Sequence, residues 1–383
     1  MDPILGDCSL GSLRRRTTEK WRSYPPDVLP AFVAEMDFDP AESVKDAVRA
    51  ALAAGDLGYA HKGELGEAFA EFATDRLGGW SPDPELVFAI PDVMTGITEV
   101  IQAITEPGAA VVINPPVYAP FFFRIELAGR RIAEAPLAGA SDGRYELDVD
   151  ALRRALGQPG VGAYLLCNPH NPVGRVWSRE QLTEVADLCD RRGVPVLVDE
   201  IHAPLVLPGS EHVPFHTLEH PAARRAVVFT SASKGWNIPG VKCGIAIAGQ
   251  QHSAAILARR WDALVPGQLG VHASVAALRS ARPWLDAVVA QIAANTRVLT
   301  ALLAEHLPGA RYREPQASFL AWIDFREMEL GDDPAAEFLA RGKVALSHGP
   351  EFGSQGRGFA RLNMGTSPEL IAEAVWRMSA AAR

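Results

Sequence analysis

From Glu42 onward, apolar runs of strand length alternate with helical patterns, and this alternation constrains the fold more than any other feature of the chain. Strand-like runs stand at 85–90, 109–114, 162–167, 194–199, 226–230 and 242–248. Between several of them lie amphipathic segments such as 179–192, whose Leu182, Val185, Ala186 and Leu188 share one face. Such alternation favours an α/β fold, a large domain with a mainly parallel mixed sheet sandwiched by helices. Ser43 is placed to cap a helix that runs through Val44, Ala47, Val48 and Ala51 and stops at Gly55.

After Arg282-Pro283 the pattern changes. A long helical stretch, 284–306, leads to strands near 318–324, 343–347 and 359–363 with helices between and after them, which reads as a smaller α+β C-terminal domain. The expected organisation is an N-terminal arm over 1–40, a large domain over 41–283 and a small domain over 284–383. The arm is rich in Pro and poor in periodicity, so it is expected to cross the surface or meet a partner subunit. At 383 residues, 48% apolar and 22% charged, the chain is long and apolar enough to bury more than one core.

Charge and cysteine usage exclude other classes. A net charge of -9 argues against a nucleic-acid surface, which needs clustered Lys and Arg; the short run Arg14-Arg15-Arg16 reads as a solvated face. Cys8, Cys167, Cys189 and Cys243 form no CxxC pair, which fits reduced thiols rather than a zinc site or a disulfide framework. The N-terminus lacks a basic region followed by an apolar core, and no apolar run approaches the roughly 20 residues that cross a bilayer. The expectation is a cytoplasmic enzyme with no metal, no membrane and no nucleic-acid partner.

The chemistry is carried first by Lys234. It lies in Ser231-Ala-Ser-Lys-Gly-Trp-Asn237, directly after an apolar run, so a buried strand ends in small hydroxyl residues and then a lysine. That arrangement holds an amine at a sheet edge, where an aldehyde cofactor can be captured as a Schiff base. Other segments supply groups suited to one such cofactor, pyridoxal 5'-phosphate (PLP). Asp199 ends the strand-like run 194–199, and a carboxylate at the carboxyl end of a parallel strand points into the usual ligand crevice, where it can keep a pyridine nitrogen protonated. His202 follows in Asp199-Glu-Ile-His202; it either reaches the phenolic side of the ring or is a satisfied structural histidine.

Asn168 opens the run Asn168-Pro-His-Asn-Pro-Val-Gly174, where two X-Pro steps force extended geometry. Its side chain is expected to donate to the cofactor's 3-oxygen, while Asn171 reads as a turn former. Pro91-Asp-Val-Met-Thr-Gly96 follows a strand and opens a helix, so the amides of Val93 and Met94 can face a phosphate, with Ser231 and Ser233 adding hydroxyls from the opposite side. Tyr118, after the run 109–114, is placed to stack on the pyridine face. Arg361, in Gly358-Phe-Ala-Arg-Leu-Asn363, offers a forked guanidinium to the carboxylate of a small amino-acid substrate.

These segments resemble the fold type I PLP enzymes, and within them the MalY/PatB group of C-S lyases of the cystathionine β-lyase type. The resemblance runs from Lys20-Trp21 and Tyr24-Pro-Pro-Asp-Val-Leu-Pro30 through Val33-Ala-Glu-Met-Asp-Phe38, Gly58-Tyr59, the Asn168 motif and Asp199-Glu-Ile-His202. It continues through Ser231 to Pro239 and Trp322 to Gly356-Arg-Gly-Phe-Ala-Arg-Leu-Asn363. It implies Lys234 as the Schiff-base lysine, Asp199 at the ring nitrogen, Asn168 at the 3-oxygen, Tyr118 stacked, Arg361 on the substrate carboxylate, and Phe32 and Asp37 at the substrate. It also implies a homodimer in which Tyr59 of one subunit reaches the other's phosphate. Phe32 stands where the group usually has Trp, Glu35 replaces its usual Asp, Tyr59-Ala-His-Lys62 lacks an aromatic residue, and Pro204 breaks an acidic pattern. These departures sit where a substrate side chain is expected.

The activity implied is β-elimination from a cysteine S-conjugate or cystathionine-like substrate, with Lys234 removing the Cα proton and a thiolate leaving from Cβ. The same residues serve an aminotransferase equally well, or a lyase acting on a cysteine conjugate of a larger metabolite. Some members of the group also act on transcriptional regulators, and the intact lysine speaks against a purely non-catalytic role here.

Overall fold

Seven strands build the central sheet: β1 Val87–Ile90, β2 Ala110–Ile113, β3 Arg131–Glu134, β4 Val161–Cys167, β5 Val196–Asp199, β6 Val227–Thr230 and β7 Gly244–Ala248. This computed structural model describes residues 1–139, 143–260 and 263–383. Across the sheet the order is β1-β7-β6-β5-β4-β2-β3; β7 runs antiparallel to β1 and β6, and every other neighbour pair is parallel. The inner strands are largely apolar because both faces are covered, whereas the edge strand β3 carries the exposed Arg131 and Glu134. On one face Ala163, Leu165, Cys167 and Leu197 join a core with helices Val93–Ile104 and Pro120–Leu127. On the other, Tyr164, Leu166, Val196 and Val198 pack with helices Arg179–Arg192 and Gln268–Ser280.

Local signals set several boundaries. Helix Arg179–Arg192 opens on a capping box between Ser178 and Gln181 and ends at Gly193, whose φ of 64° is the left-handed conformation that suits glycine. Helix Glu42–Ala54 ends in the same way at Gly55, yet it starts two residues earlier than expected: Ala41 holds the cap position and Ser43 lies inside the first turn. Lys242, expected at the head of the last strand, instead occupies a left-handed turn before β7.

A second, antiparallel sheet is formed by β8 Arg311–Tyr312, β9 Leu320–Asp324, β10 Ser347–His348 and β11 Phe359–Asn363 in the order β8-β9-β11-β10. Its core includes Ile323, Phe325, Phe338, Leu362, Val375 and Met378. The run 343–347, expected as one strand, splits: Val344–Ala345 pairs with Leu29–Pro30 of the N-terminal segment, and Ser347–His348 pairs with β11.

Helix Arg282–His306 belongs to both halves. Trp284, Leu285, Val288 and Ile292 enter the large core, whereas Leu299 and Leu303 enter the small one. By length and composition alone this helix is long and apolar enough to cross a membrane, which corrects the reading that no stretch of the chain is. Its apolar positions pack against protein at both ends.

The first 40 residues also depart from expectation. Short helical turns occupy Pro3–Leu5, Leu10–Leu13 and Glu19–Arg22, and Leu5, Leu13, Trp21, Met36 and Phe38 are core residues. The segment 33–38 is a strap held by two asparagines. Asn237 accepts from the Met36 amide at 2.8 Å and donates to the Met36 and Phe38 carbonyls at 2.9 Å. Asn363 donates to the Val33 and Glu35 carbonyls at 2.7 and 2.6 Å.

Candidate active site

Parallel strands leave their ligand crevice beyond their carboxyl ends. Here β4 and β5 end in register, Cys167 opposite Asp199, beside β6 ending at Thr230, and beyond them lies a cavity of about 290 Å³. Of the residues expected at the site, Lys234, Asp199, His202, Tyr118, Val93, Met94, Ser231 and Ser233 line this cavity.

Lys234 sits on the short helix Ala232–Gly235, which Ser231 caps by accepting from the Ser233 amide at 3.0 Å. The Ser231 hydroxyl also donates to the Cys243 carbonyl at 2.7 Å, tying the end of β6 to the approach of β7. The Lys234 amine donates to the Ala34 carbonyl of the strap at 2.7 Å. Burial, together with the positive Arg361, lowers its pKa to about 8 against the opposing pull of Asp199 and Glu35. An amine in that state is a competent nucleophile and base.

Asp199 is buried, and its Oδ1 accepts from the Ile201 amide at 3.0 Å. Burial raises its carboxyl to about 7, with the Ile201 amide and Lys234 pulling the other way. A cationic partner would restore the carboxylate. His202, also buried, is lowered to about 3 by burial and by the positive Lys234 and Arg361, so the ring is neutral; its Nδ1 has no hydrogen-bond partner. Burial lifts the Tyr118 phenol to about 12, which keeps it protonated.

Helix Val93–Ile104 supplies an anion cradle. Asp92 caps it by accepting from the Thr95 amide at 2.8 Å, leaving the first-turn amides of Val93 and Met94 facing the cavity end of the helix dipole. Lys242 lines the same end and pairs with Asp92 at 3.3 Å. It is not among the expected site residues because the apolar run 242–248 places it in a strand rather than in the turn before β7.

Asn168 is not where it was expected. It is fully buried behind the cavity wall, with its amide donating to Glu200 at 3.2 Å and to the Val213 carbonyl at 3.1 Å. Asn171 lines the cavity in its place and accepts from Arg361 Nη1 at 3.1 Å through Oδ1. The two-residue period of a strand carries this distinction. Leu165 and Cys167 face the cavity side with Leu197 and Asp199, so Asn168 and Glu200 turn together to the opposite side.

Arg361 stands on β11, opposite Trp322 of β9 and Ser347 of β10. Its guanidinium is fixed by Asn171, by the Ser347 hydroxyl at 3.0 Å and by the Phe32 carbonyl at 3.2 Å, and it lies 4.9 Å from the Phe352 ring centre. Burial lowers it to about 10, and its Nε has no partner. Arg361 is held next to the cavity through Asn171 rather than in its immediate lining.

Three expected residues lie elsewhere. Phe32 meets Arg361 only through its carbonyl, and its ring packs edge-on against Tyr24 at 5.3 Å. Asp37 is taken by a buried ion pair with Lys20 at 2.9 Å and a bond from the Trp21 indole at 3.0 Å, so its carboxylate is committed to the fold. Tyr59 is fully exposed, at 100%.

Comparison with known proteins gives this geometry its context. The family model described as aminotransferase class I and II matches residues 33–378. The cystathionine beta-lyase PatB of Bacillus subtilis is 37% identical, the match covering 93% of this chain and 92% of that protein. A cystathionine beta-lyase of Corynebacterium glutamicum is 33% identical over 97% of this chain and 98% of its own. The crystal structure of cystalysin from Treponema denticola, which contains a pyridoxal 5'-phosphate cofactor, superposes with a TM-score of 0.91 at 27% identity, covering 96% of each chain. The chain belongs to the aminotransferase class I and II family, in its MalY/PatB-type branch of fold type I.

Proposed function

We propose that the protein is a PLP-dependent C-S β-lyase that cleaves an L-cysteine S-conjugate to a thiol, pyruvate and ammonia. One observation carries the reading: the Lys234 amine and the Asp199 carboxyl line a single cavity whose wall leaves the buried His202 Nδ1 unpartnered. An amine with a depressed pKa, a buried acid that needs a cationic neighbour and a helix N-terminus fit an aldehyde, a pyridine nitrogen and a phosphate, so the donor set fits PLP. When bound, PLP supplies an electron sink that acidifies the substrate's Cα–H.

The chain's own groups do the rest. Lys234 takes the Cα proton, the Cβ–S bond breaks with its electron pair leaving on sulfur, and hydrolysis of the remaining aminoacrylate gives pyruvate and ammonia. Asp199 carries the negative charge that keeps the pyridine nitrogen protonated. The Val93 and Met94 amides, the Ser233 hydroxyl and Lys242 would hold the phosphate, while Ser231, expected to add a second hydroxyl, spends its hydrogen on the Cys243 carbonyl and caps the turn that presents Ser233. Tyr118 covers the ring face and excludes water. Asn171 keeps its amide free to donate to the 3-oxygen while its Oδ1 orients Arg361, which grips the substrate carboxylate.

We also read the protein as a homodimer, with Tyr59 reaching the partner's phosphate. Its full exposure, beside Leu52 at 50% and Leu57 at 58%, supports that reading. Incubation of the PLP-loaded protein with S-substituted cysteines tests the assignment. Catalytic release of thiol and pyruvate is expected; stoichiometric conversion to the pyridoxamine form without pyruvate would overturn it in favour of transamination.

A further inference from the structure

The cavity lining holds three long cations, Lys234, Lys242 and Arg124, and two carboxylates, Asp92 and Asp199. Lys242 is matched by Asp92, and Lys234 and Asp199 are committed under the proposed function. Arg124 has no match. Among the described residues nothing bonds or pairs with its guanidinium, and the positions one turn away on its helix, Pro120, Phe121, Leu127 and Ala128, carry no carboxylate.

Other arginines show why this stands out. Those whose side chains make no bond, such as Arg154, Arg224 and Arg297, are exposed to water. Half-buried ones, such as Arg130, Arg175 and Arg260, are bonded to protein oxygens. Arg124 is half-buried and unbonded. A guanidinium that lines a cavity, half shielded from water and with no protein oxygen on it, is free to take an anion that enters there.

Two anions enter the cavity, the cofactor's phosphate and the substrate. The phosphate already has helix amides, the Ser233 hydroxyl and Lys242, and the substrate's α-carboxylate has Arg361. We propose that Arg124 is a specificity-determining residue that binds a carboxylate at the far end of the substrate's sulfur substituent. This inference rests on the lyase reading and names its substrate class: cysteine conjugates whose leaving thiol is anionic. Tyr118 and Pro120, which line the cavity beside Arg124, give the intervening methylenes an apolar wall.

The test compares S-carboxymethyl-, S-(2-carboxyethyl)- and S-(3-carboxypropyl)-cysteine with the corresponding neutral amides, using wild type, Arg124→Met and Arg124→Lys, all PLP-loaded. At the best length we expect the acid to exceed its amide in kcat/KM by about tenfold, as one charge-assisted contact provides. In Arg124→Met the ratio should fall to within about twofold, and Arg124→Lys should restore part of it. The inference is overturned if the wild-type ratio is near one, if it survives in Arg124→Met, or if that variant loses PLP affinity instead, which would assign the guanidinium to the phosphate. If no conjugate releases thiol, the lyase reading fails on its own. Calorimetry with the sulfur-free analogues 2-aminoadipate, 2-aminopimelate and 2-aminosuberate and their ω-amides then decides: an acid preference lost in Arg124→Met sustains the inference, and equal binding of acid and amide ends it.

Discussion

At the scale of single residues, the site works by controlled desolvation. Lys234 titrates near 8, so the neutral amine that attacks an aldehyde grows from a small fraction at pH 7 to nearly all of it at pH 9. Capture of PLP by the cofactor-free protein, followed by stopped-flow absorbance, should therefore accelerate about tenfold between pH 7 and 9 and then level off; a rise that continues toward pH 10.5 would contradict the depressed amine. Asp199 acts in the other direction. Its folded value of about 7 lies above the ordinary 3.8, so without cofactor the folded chain keeps a proton that the unfolded chain releases, and stability falls as pH rises from about 4 to about 7. Asp199→Asn removes this penalty. Without cofactor it should unfold a few degrees above wild type at pH 8 and close to it at pH 4, while losing lyase activity; equal melting curves at pH 8 would refute the argument. Most of these side chains were legible because a lysine after hydroxyls or an acid at a strand end has few other uses in this setting. Asn168 and Asn171 were exchanged because each precedes proline, and only the alternation through Cys167 and Asp199 tells which one faces inward.

At the scale of elements, the inner parallel strands β2, β4, β5 and β6 could be read directly, since strands buried on both faces are continuous apolar runs, whereas the edge strand β3, with Arg131 and Glu134 exposed, has no such run and was not expected. The N-terminal segment could not. Its order comes from long-range partners, Asn237 and Asn363 above all, and leaves no periodic trace of its own. The split of 343–347 between two sheets was equally hidden, because apolar sequence does not say which strand it will meet. The turn that precedes β11 makes a sharp test of how this element serves the site. A Cβ on Gly356 would come within 1.9 Å of the Gly349 carbonyl oxygen, a backbone contact that cannot yield without shifting the loop. Gly356→Ala should cost about 2–4 kcal/mol in unfolding and raise KM more than it lowers kcat, because β11 carries Arg361. Unchanged stability with unchanged KM would show that the loop is free to relax.

At the scale of the whole molecule, helix Arg282–His306 joins two cores and the strap 33–38 crosses above Lys234, bonded to both. The limits expected between domains fall inside this shared architecture. Completion of the site by a second subunit is testable with two inactive partners. Lys234→Ala and Tyr59→Ala proteins, mixed after mild dissociation, should form mixed dimers with one intact site and recover roughly a quarter of wild-type turnover, since half the dimers are mixed and each has one of two sites. No recovery above the sum of the parents would place Tyr59 outside the partner's site. The central claim, however, concerns one bond. Borohydride reduction of the PLP-loaded protein followed by peptide mass mapping should find a pyridoxyl group on the Lys234 peptide, absent from Lys234→Ala; a pyridoxyl group on another lysine, with Lys234 unmodified, would contradict the account.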